Sequence, residues 1–363
     1  MRLLITARFD RAELERLRPS PTEVRFDGWG ETCQKLDAEQ LKQALIDIDI
    51  FILEYETVSR EILEAAPGLR LLACCRNEPG ASVDLAAATA LNLPVLYPPG
   101  RNAVSVAEYT FGLMIGLARH IPKTHHLLRY TDELTRLTYE DKAPDRRHVT
   151  SEWSMDRRAP FNRFQGPELA GKILALVGCG SIGREIARRG RAFDMHVIVF
   201  DPYVSSAVLD DLGAEPAGLA ALAQTADFVV MAAKVTPETT GLFSAEFIGM
   251  MKSSAYFINT ARAALVDYDA LYKALRADRI AGAALDVYRQ EPIAADNPFR
   301  SLDNVVLSPH LAGASLDIPR HHSRMIVDDL LLALNRQKPR RLLNPEVWEQ
   351  SRLAQEGLDR GGT

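Results

Sequence analysis

The sequence predicts an α/β protein made of two doubly wound parallel-sheet domains. Three observations predict it. Short apolar runs alternate with helical patterns in two separate series, one ending near residue 99 and one beginning at Lys172. The chain has 363 residues, more than one ordinary core organises. The second series opens on a glycine-rich turn set between an apolar run and an amphipathic helix.

In the first series Arg2–Thr6, Ile48–Leu53, Leu69–Cys74 and Pro94–Leu96 read as strands. Between them Ser59–Ala66 reads as a helix with Ser59 in the N-cap place, and Val83–Leu91 as an alanine-rich helix. Asn102–His120 follows as a long helix, apolar on most faces. Such a helix is buried, here against the other domain or a second subunit. Residues 130–165 break the rhythm with many arginines, Pro144, Pro160, Trp153, Phe161 and Phe164 and no period. They read as a solvated excursion, or as one that Trp153, Phe161 and Phe164 anchor over a cleft or a partner. In the second series the strands are Ile173–Val177, His196–Phe200, Phe228–Met231, Ala255–Asn259, Gly282–Leu285 and Val305–Ser308. A last helix covers Ser315–Asn335. Beyond Lys338 the chain turns polar and is expected to fray.

Composition narrows the function classes. Hydrophobic residues at 47% and charged residues at 25% are the balance of a globular protein in water. A net charge of −5 offers no basic face for nucleic acid or an anionic membrane. No apolar run reaches the roughly 20 residues that cross a bilayer, and Met1–Asp10 reads as strand, not as a leader. Cys33, Cys74, Cys75 and Cys179 form no C-x-x-C pair. Reduced thiols in the cytoplasm and no metal site are therefore expected.

The sharpest local motif is Gly178-Cys179-Gly180-Ser181-Ile182-Gly183. It follows the apolar run Ile173–Val177, opens a helix, and is followed at the end of the next apolar run by Asp201. This is the arrangement of a dinucleotide-binding Rossmann unit. Gly178 turns the chain, Gly180 lets the backbone approach a pyrophosphate, and Gly183 lets helix and strand pack closely. The helix N-terminus offers unpaired N–H groups to the phosphates. Asp201 is expected to accept from the ribose hydroxyls and to repel a 2′-phosphate, which favours NAD. Taken alone, Asp201 reads equally as a turn cap. Cys179 reads as a small filler; a redox role would need a depressed thiol pKa.

Further motifs stand in order: Gly80-Ala81-Ser82-Val83-Asp84-Leu85, Gly100–Glu108, Thr236-Pro237-Glu238-Thr239-Thr240, Ile258-Asn259-Thr260-Ala261-Arg262, Ala284-Leu285-Asp286-Val287, Gln290-Glu291-Pro292 and Ser308–Gly313. With them the chain resembles, from about Leu71 to Leu343, the D-isomer-specific 2-hydroxyacid dehydrogenases, the family of phosphoglycerate, glycerate and D-lactate dehydrogenases. The resemblance implies a flavodoxin-like substrate domain, 1–99 with 308–340, an inserted NAD-binding Rossmann domain, 100–307, and a tail, 341–363. It implies an active site in the cleft between domains and a homodimer through helix 102–120.

It also implies roles. Arg262 would hold the substrate carboxylate and polarise the 2-oxo group, His310 would be the acid/base, and Glu291 its carboxylate partner. The chemistry needs these types. A ketone that accepts a hydride becomes an alkoxide, so a proton donor must lie within hydrogen-bond reach. Histidine donates and accepts near neutral pH, and a neighbouring carboxylate orients the ring. Arginine grips a carboxylate at two points. Read singly, each is an ordinary surface arginine, loop acid or structural histidine; the ordered set carries the inference. Thr236, Thr260, Ala261 and Asp286 would line the cofactor with Ser181 and Ile182. Arg76, Asn77 and Asn102 would face a small 2-keto or 2-hydroxy acid. The pairs His125-His126 and His321-His322 sit among polar residues and are expected to have no chemical part.

Departures bear on the cofactor grip, at Ser181 and Ala232, and on the substrate, at the Cys75–Gly80 loop. Ser181 and Ala232 stand where relatives often carry Arg or His, and Cys75–Gly80 is less glycine-rich than usual. Two other readings compete. Formate dehydrogenases share the architecture but carry glutamine at the Glu291 position. A dinucleotide-sensing corepressor would keep the same residues without turnover.

Overall fold

The computed structural model describes residues 1–18, 23–135, 157 and 159–356. The chain splits into two compact units, Met1–Asn102 with Ser315–Thr363, and Ala103–Ala314.

The first unit is built on five strands, β1 (Arg2–Ile5), β2 (Glu23–Phe26), β3 (Ile50–Leu53), β4 (Leu71–Cys74) and β5 (Val95–Leu96). They lie in the order β2-β1-β3-β4-β5, every pair parallel. β3 and β4 are buried at every residue, because helices cover both faces of the sheet. Alternate residues sort to the two faces. Leu4, Phe51, Leu53 and Leu72 pack with Leu41, Ile62, Leu63 and Ala87. Leu3, Ile5, Ile50 and Ile52 pack under Ile326, Val327 and Leu330 of the helix Ile318–Leu334.

The segment expected to fray is instead part of this core. Trp348 and Leu353 are buried with the helix Ile318–Leu334. Leu343 N–H donates to the Val95 carbonyl at 2.8 Å, and Val95 N–H donates to Asn344 Oδ1 at 2.9 Å. Residues after Leu342 thus cover the open edge of β5, which would otherwise present unpaired backbone groups. β2 was not visible in the sequence: as an edge strand it is buried only in part, and its four residues form no continuous apolar run.

The second unit carries β6 (Ile173–Val177), β7 (His196–Phe200), β8 (Ala214–Pro216), β9 (Phe228–Met231), β10 (Tyr256–Asn259), β11 (Gly282–Leu285) and β12 (Val305–Leu307). Their order is β12-β11-β10-β9-β6-β7-β8, again all parallel. The order reverses at β6, so the switch point of the sheet lies where the glycine motif leaves that strand. The long helix, Ala103–Ala118, buries Phe111, Met114 and Leu117 against Leu174, Ile186, Ile258 and Ala284 of its own unit. Its apolar character is therefore largely met inside the unit; neither the other domain nor a second subunit is needed to explain it.

The unit boundaries differ from those expected. Asn102 stays with the first unit, and His310 belongs to the second rather than to the substrate domain. β12 pairs with β11, and the residues after it are tied back to β11, so the chain leaves the second sheet only after that turn. Of the excursion, Phe161 is half exposed, while Phe164 lies edge-on to His120 at 6.1 Å. Trp153 and Pro144 lie outside the described residues. Among the described residues no helix is long and apolar enough to cross a membrane.

Candidate active site

The glycine turn has the geometry its motif requires. Gly178 has φ +101°, and a Cβ there would lie 2.6 Å from the Ala233 nitrogen. Gly183 approaches the Gly178 carbonyl so closely that a Cβ would stand 2.4 Å from its oxygen. A Cβ on Gly180 would meet nothing within 4 Å. Two glycines are thus demanded by the protein's own packing, and the third faces open space, the cradle a pyrophosphate needs. The helix Ser181–Ala192 starts there with Gly180 as its N-cap and no side-chain cap, so its first N–H groups are not taken by a capping residue. The turn therefore fits a dinucleotide.

Asp201 follows β7. One carboxylate oxygen accepts from Cys179 N–H at 2.7 Å and the other from Tyr203 N–H at 2.9 Å. It caps its turn and braces the glycine loop at once, so the two readings of this residue are not exclusive. Burial pushes the Cys179 thiol up, although Arg184 opposes the shift. That direction removes the reactive thiolate a redox role would need.

His310 and Glu291 meet. Nδ1 of the imidazole lies 2.6 Å from Glu291 Oε2, and both side chains are partly exposed. Burial pushes the Glu291 carboxyl up. The hydrogen bonds from His310 and from Tyr288 N–H, with the charges of His310 and Arg262, outweigh it, and the net direction is down. Glu291 is therefore held as a carboxylate, within electrostatic reach of Arg262. The Arg262 turn is fixed by buried Asn259, whose side-chain oxygen accepts from Ala261 N–H and whose NH₂ donates to the Arg262 carbonyl. Thr260 is tied to Thr110 of the long helix at 2.9 Å.

His310 itself sits in a constrained turn, with φ +56°, a region most side chains avoid. Asp286 holds that turn. Its fully buried carboxylate accepts from Ser308 Oγ at 2.6 Å, Leu311 N–H at 2.9 Å and Ala312 N–H at 2.8 Å. The resemblance implied a cofactor contact for Asp286; here its oxygens are engaged by the histidine turn. No sequence signal short of the fold exposes this, because the partners are more than twenty residues away. Thr236 caps its own turn after β9, its N–H donating to Thr239 Oγ1 at 2.8 Å.

In the first unit, Asn77 and Asn102 come together. Asn77 Nδ2 donates to Asn102 Oδ1 at 2.8 Å, and Asn77 Oδ1 accepts from Gly100 N–H at 3.1 Å. The Arg76 guanidinium lies over the Tyr55 ring at 5.1 Å. Beside them is a buried network that sequence reasoning missed. Arg101 donates to Glu54 Oε1 at 2.6 Å and lies 3.0 Å from His322 Nδ1, while His322 Nε2 lies 2.6 Å from the Arg8 carbonyl. Nδ1 must accept from Arg101, so His322 is neutral with its proton on Nε2. Burial pushes it down, to about 4. Contrary to expectation, His322 is fully buried. The signal was available: His322, Ile326, Leu330 and Ala333 recur on one helical face.

A Rossmann sheet with a pyrophosphate cradle and a carboxylate-paired histidine defines a nicotinamide-dependent dehydrogenase. The chain matches the model of the D-isomer specific 2-hydroxyacid dehydrogenase NAD binding domain over residues 111–312. A Bacillus subtilis relative assigned to the 2-hydroxyacid dehydrogenases is 33% identical over 350 residues, 95% of this chain and 93% of its own. A glyoxylate reductase of Thermofilum pendens is 32% identical over 85% of each chain. A crystal structure of a Thermus thermophilus protein superposes with a TM-score of 0.69 at 28% identity, covering 94% of this chain and all of the other. The chain belongs to the D-isomer specific 2-hydroxyacid dehydrogenase family and is an NAD-dependent enzyme of that class.

Proposed function

We propose that His310, Glu291 and Arg262 carry the interconversion of a small 2-keto acid and its D-2-hydroxy acid. The observation that carries this is the 2.6 Å contact between His310 Nδ1 and Glu291, with the Arg262 charge acting on the same carboxylate. Bound NADH supplies the hydride. With Nδ1 facing Glu291, Nε2 is the nitrogen that gives the alkoxide its proton in reduction and takes it back in oxidation. Arg262 grips the substrate carboxylate and polarises the 2-oxo group, and the Asn259 brace holds its turn in place. Gly178, Gly180, Ser181, Ile182, Gly183 and Asp201 hold the dinucleotide, with Thr236, Thr260 and Ala261 along it. Asp286 serves the same site through the His310 turn. Arg76, Asn77 and Asn102 contact the substrate.

A screen of NADH oxidation against glyoxylate, hydroxypyruvate, pyruvate, aromatic 2-keto acids and phosphohydroxypyruvate tests this, with chiral analysis of the product. An L product, or no turnover with any of them, overturns it; the latter favours a dinucleotide sensor. Arg262→Ala should lower kcat/KM by about 10²- to 10³-fold, as loss of a charged positioning group does, and leave NADH binding nearly unchanged.

A cytoplasmic homodimer completes the proposal. The four free cysteines, one of them exposed, suit a reducing compartment. Exposed Ile121, Leu128 and Tyr130 lie on the helix Ile121–Tyr130, which follows the long helix and offers apolar surface to a second copy.

A further inference from the structure

The acid/base pair hangs on two turns, one after β11 and one after β12. Beside the Asp286 contacts, the Tyr288 residue joins them. Tyr288 N–H donates to Glu291 Oε1 at 3.0 Å, and the other oxygen of that carboxylate meets His310 Nδ1 at 2.6 Å. The His310 main-chain N–H lies 3.1 Å from the Ser308 carbonyl, and the Tyr288 hydroxyl donates to the same carbonyl at 2.9 Å. The path closes on itself: Tyr288 main chain, Glu291, the His310 ring, the His310 main chain, Ser308, and the Tyr288 hydroxyl. That hydroxyl's single proton is shared with the Leu285 carbonyl at 2.8 Å, which also accepts Ser308 N–H in the last rung between the two strand ends.

We infer that Tyr288 is a positioning residue for the dehydrogenase reaction, its hydroxyl locking the His310 turn to the Glu291 turn so that the imidazole meets its carboxylate at working distance. The inference rests on the roles proposed above for His310 and Glu291. Three further observations support it. Tyr288 is buried, so its hydroxyl must find protein partners. Burial pushes the phenol up, with nearby Asp286 and Glu291 adding to the rise, so the group is a donor throughout the working range. And His310 adopts φ +56°, a conformation that persists only where the surroundings impose it. Asp286 clamps the far side of the same turn through Leu311 and Ala312. Tyr288 holds the near side, and it alone of the two touches Glu291.

Tyr288→Phe removes the hydroxyl and keeps the ring. Its kcat should fall about tenfold, the scale of one buried hydrogen bond lost at a positioning site, while KM for NADH stays within twofold. The pH profile of reduction should broaden or shift, because the carboxylate no longer meets the ring in one geometry; the other charge acting on Glu291 is Arg262, while Arg289 is paired with Asp269 and Asp286 with the Ser308–Ala312 turn. In a cycle with Glu291→Gln the two losses should be strongly non-additive, since either breaks the same ring. A Tyr288→Phe enzyme with wild-type kcat and pH profile overturns the inference, as do additive losses. So does a loss of thermal stability with kcat and profile unchanged, which is a purely structural part. A measurement on the unaltered protein stands beside these: the amides of Ser308, His310, Leu311 and Ala312 should exchange with solvent as slowly as those of β12, and exchange at the rate of an open loop overturns the closed ring. His310→Gln in the same assay keeps the two levels apart. If that variant turns over normally, the proposed catalytic roles fail; if it is dead and Tyr288→Phe is normal, only the role of Tyr288 fails.

Discussion

Two histidines of this chain lie twelve positions apart and do opposite things. His310 is partly exposed and shares its Nδ1 with a carboxylate held in the charged form. His322 is fully buried, and both of its ring nitrogens are taken, one by the Arg101 guanidinium and one by the Arg8 carbonyl. The first has a partner that welcomes a proton and an opening toward water. The second has a cationic partner and no water, and burial drives it down to about 4. Residue type supplies the capacity to titrate; the partner's sign and the access of water decide whether it is used.

The largest expected effect is on chemistry. His310→Gln should lower kcat/KM by about 10³-fold, within the range for loss of a general acid, whereas His322→Gln should leave it within a few-fold when assayed at neutral pH. Equal losses in the two variants would break the contrast.

Next comes stability. The folded-state pKa of His322 lies below its unfolded value, so the unfolded chain binds more protons between pH 6.5 and about 4. Stability is therefore complete above pH 6.5 and falls as pH drops through that window, by about 3 kcal/mol from this group. Denaturant unfolding of the first unit, followed through Trp29 and Trp348 at pH 7 and 4.5, checks it. The pH-dependent part should shrink in His322→Gln, and an unchanged slope in that variant would show that other groups carry it.

The smallest effect sharpens the other side. Glu291→Gln keeps the shape of the side chain and removes the carboxylate that holds His310 Nδ1. Reduction should lose about tenfold in kcat/KM, the scale of one charge-assisted hydrogen bond to a proton donor. Measurement of kcat/KM in both directions decides, and wild-type rates in the variant would show that the carboxylate does not serve His310.

Much of this was legible in the chain. β6, β9 and β11 fall where their apolar runs place them, since strands buried on both faces read as continuous apolar segments, and β7 falls on its run although one face is only half-buried. β2 and β8 escaped because edge strands are half solvated and carry no such run. The polar tail escaped for a related reason: Asn344 is buried by bonding the backbone of Leu93 and Val95, an environment composition does not report.

The sequence by itself determined the class of fold and the dinucleotide turn, because local periodicity and fixed spacing encode them; Arg262, Glu291 and His310 came forward only through the family resemblance of the motifs around them. Tertiary structure alone decided which side chains those residues meet. Asp286 on the His310 turn, Tyr288 between the turns after β11 and β12, and Arg101 between Glu54 and His322 are contacts across 26, 20 and 221 residues at their widest. Such pairs are brought together by the register of parallel strands and the packing of a helix on a sheet, which no local window of sequence contains.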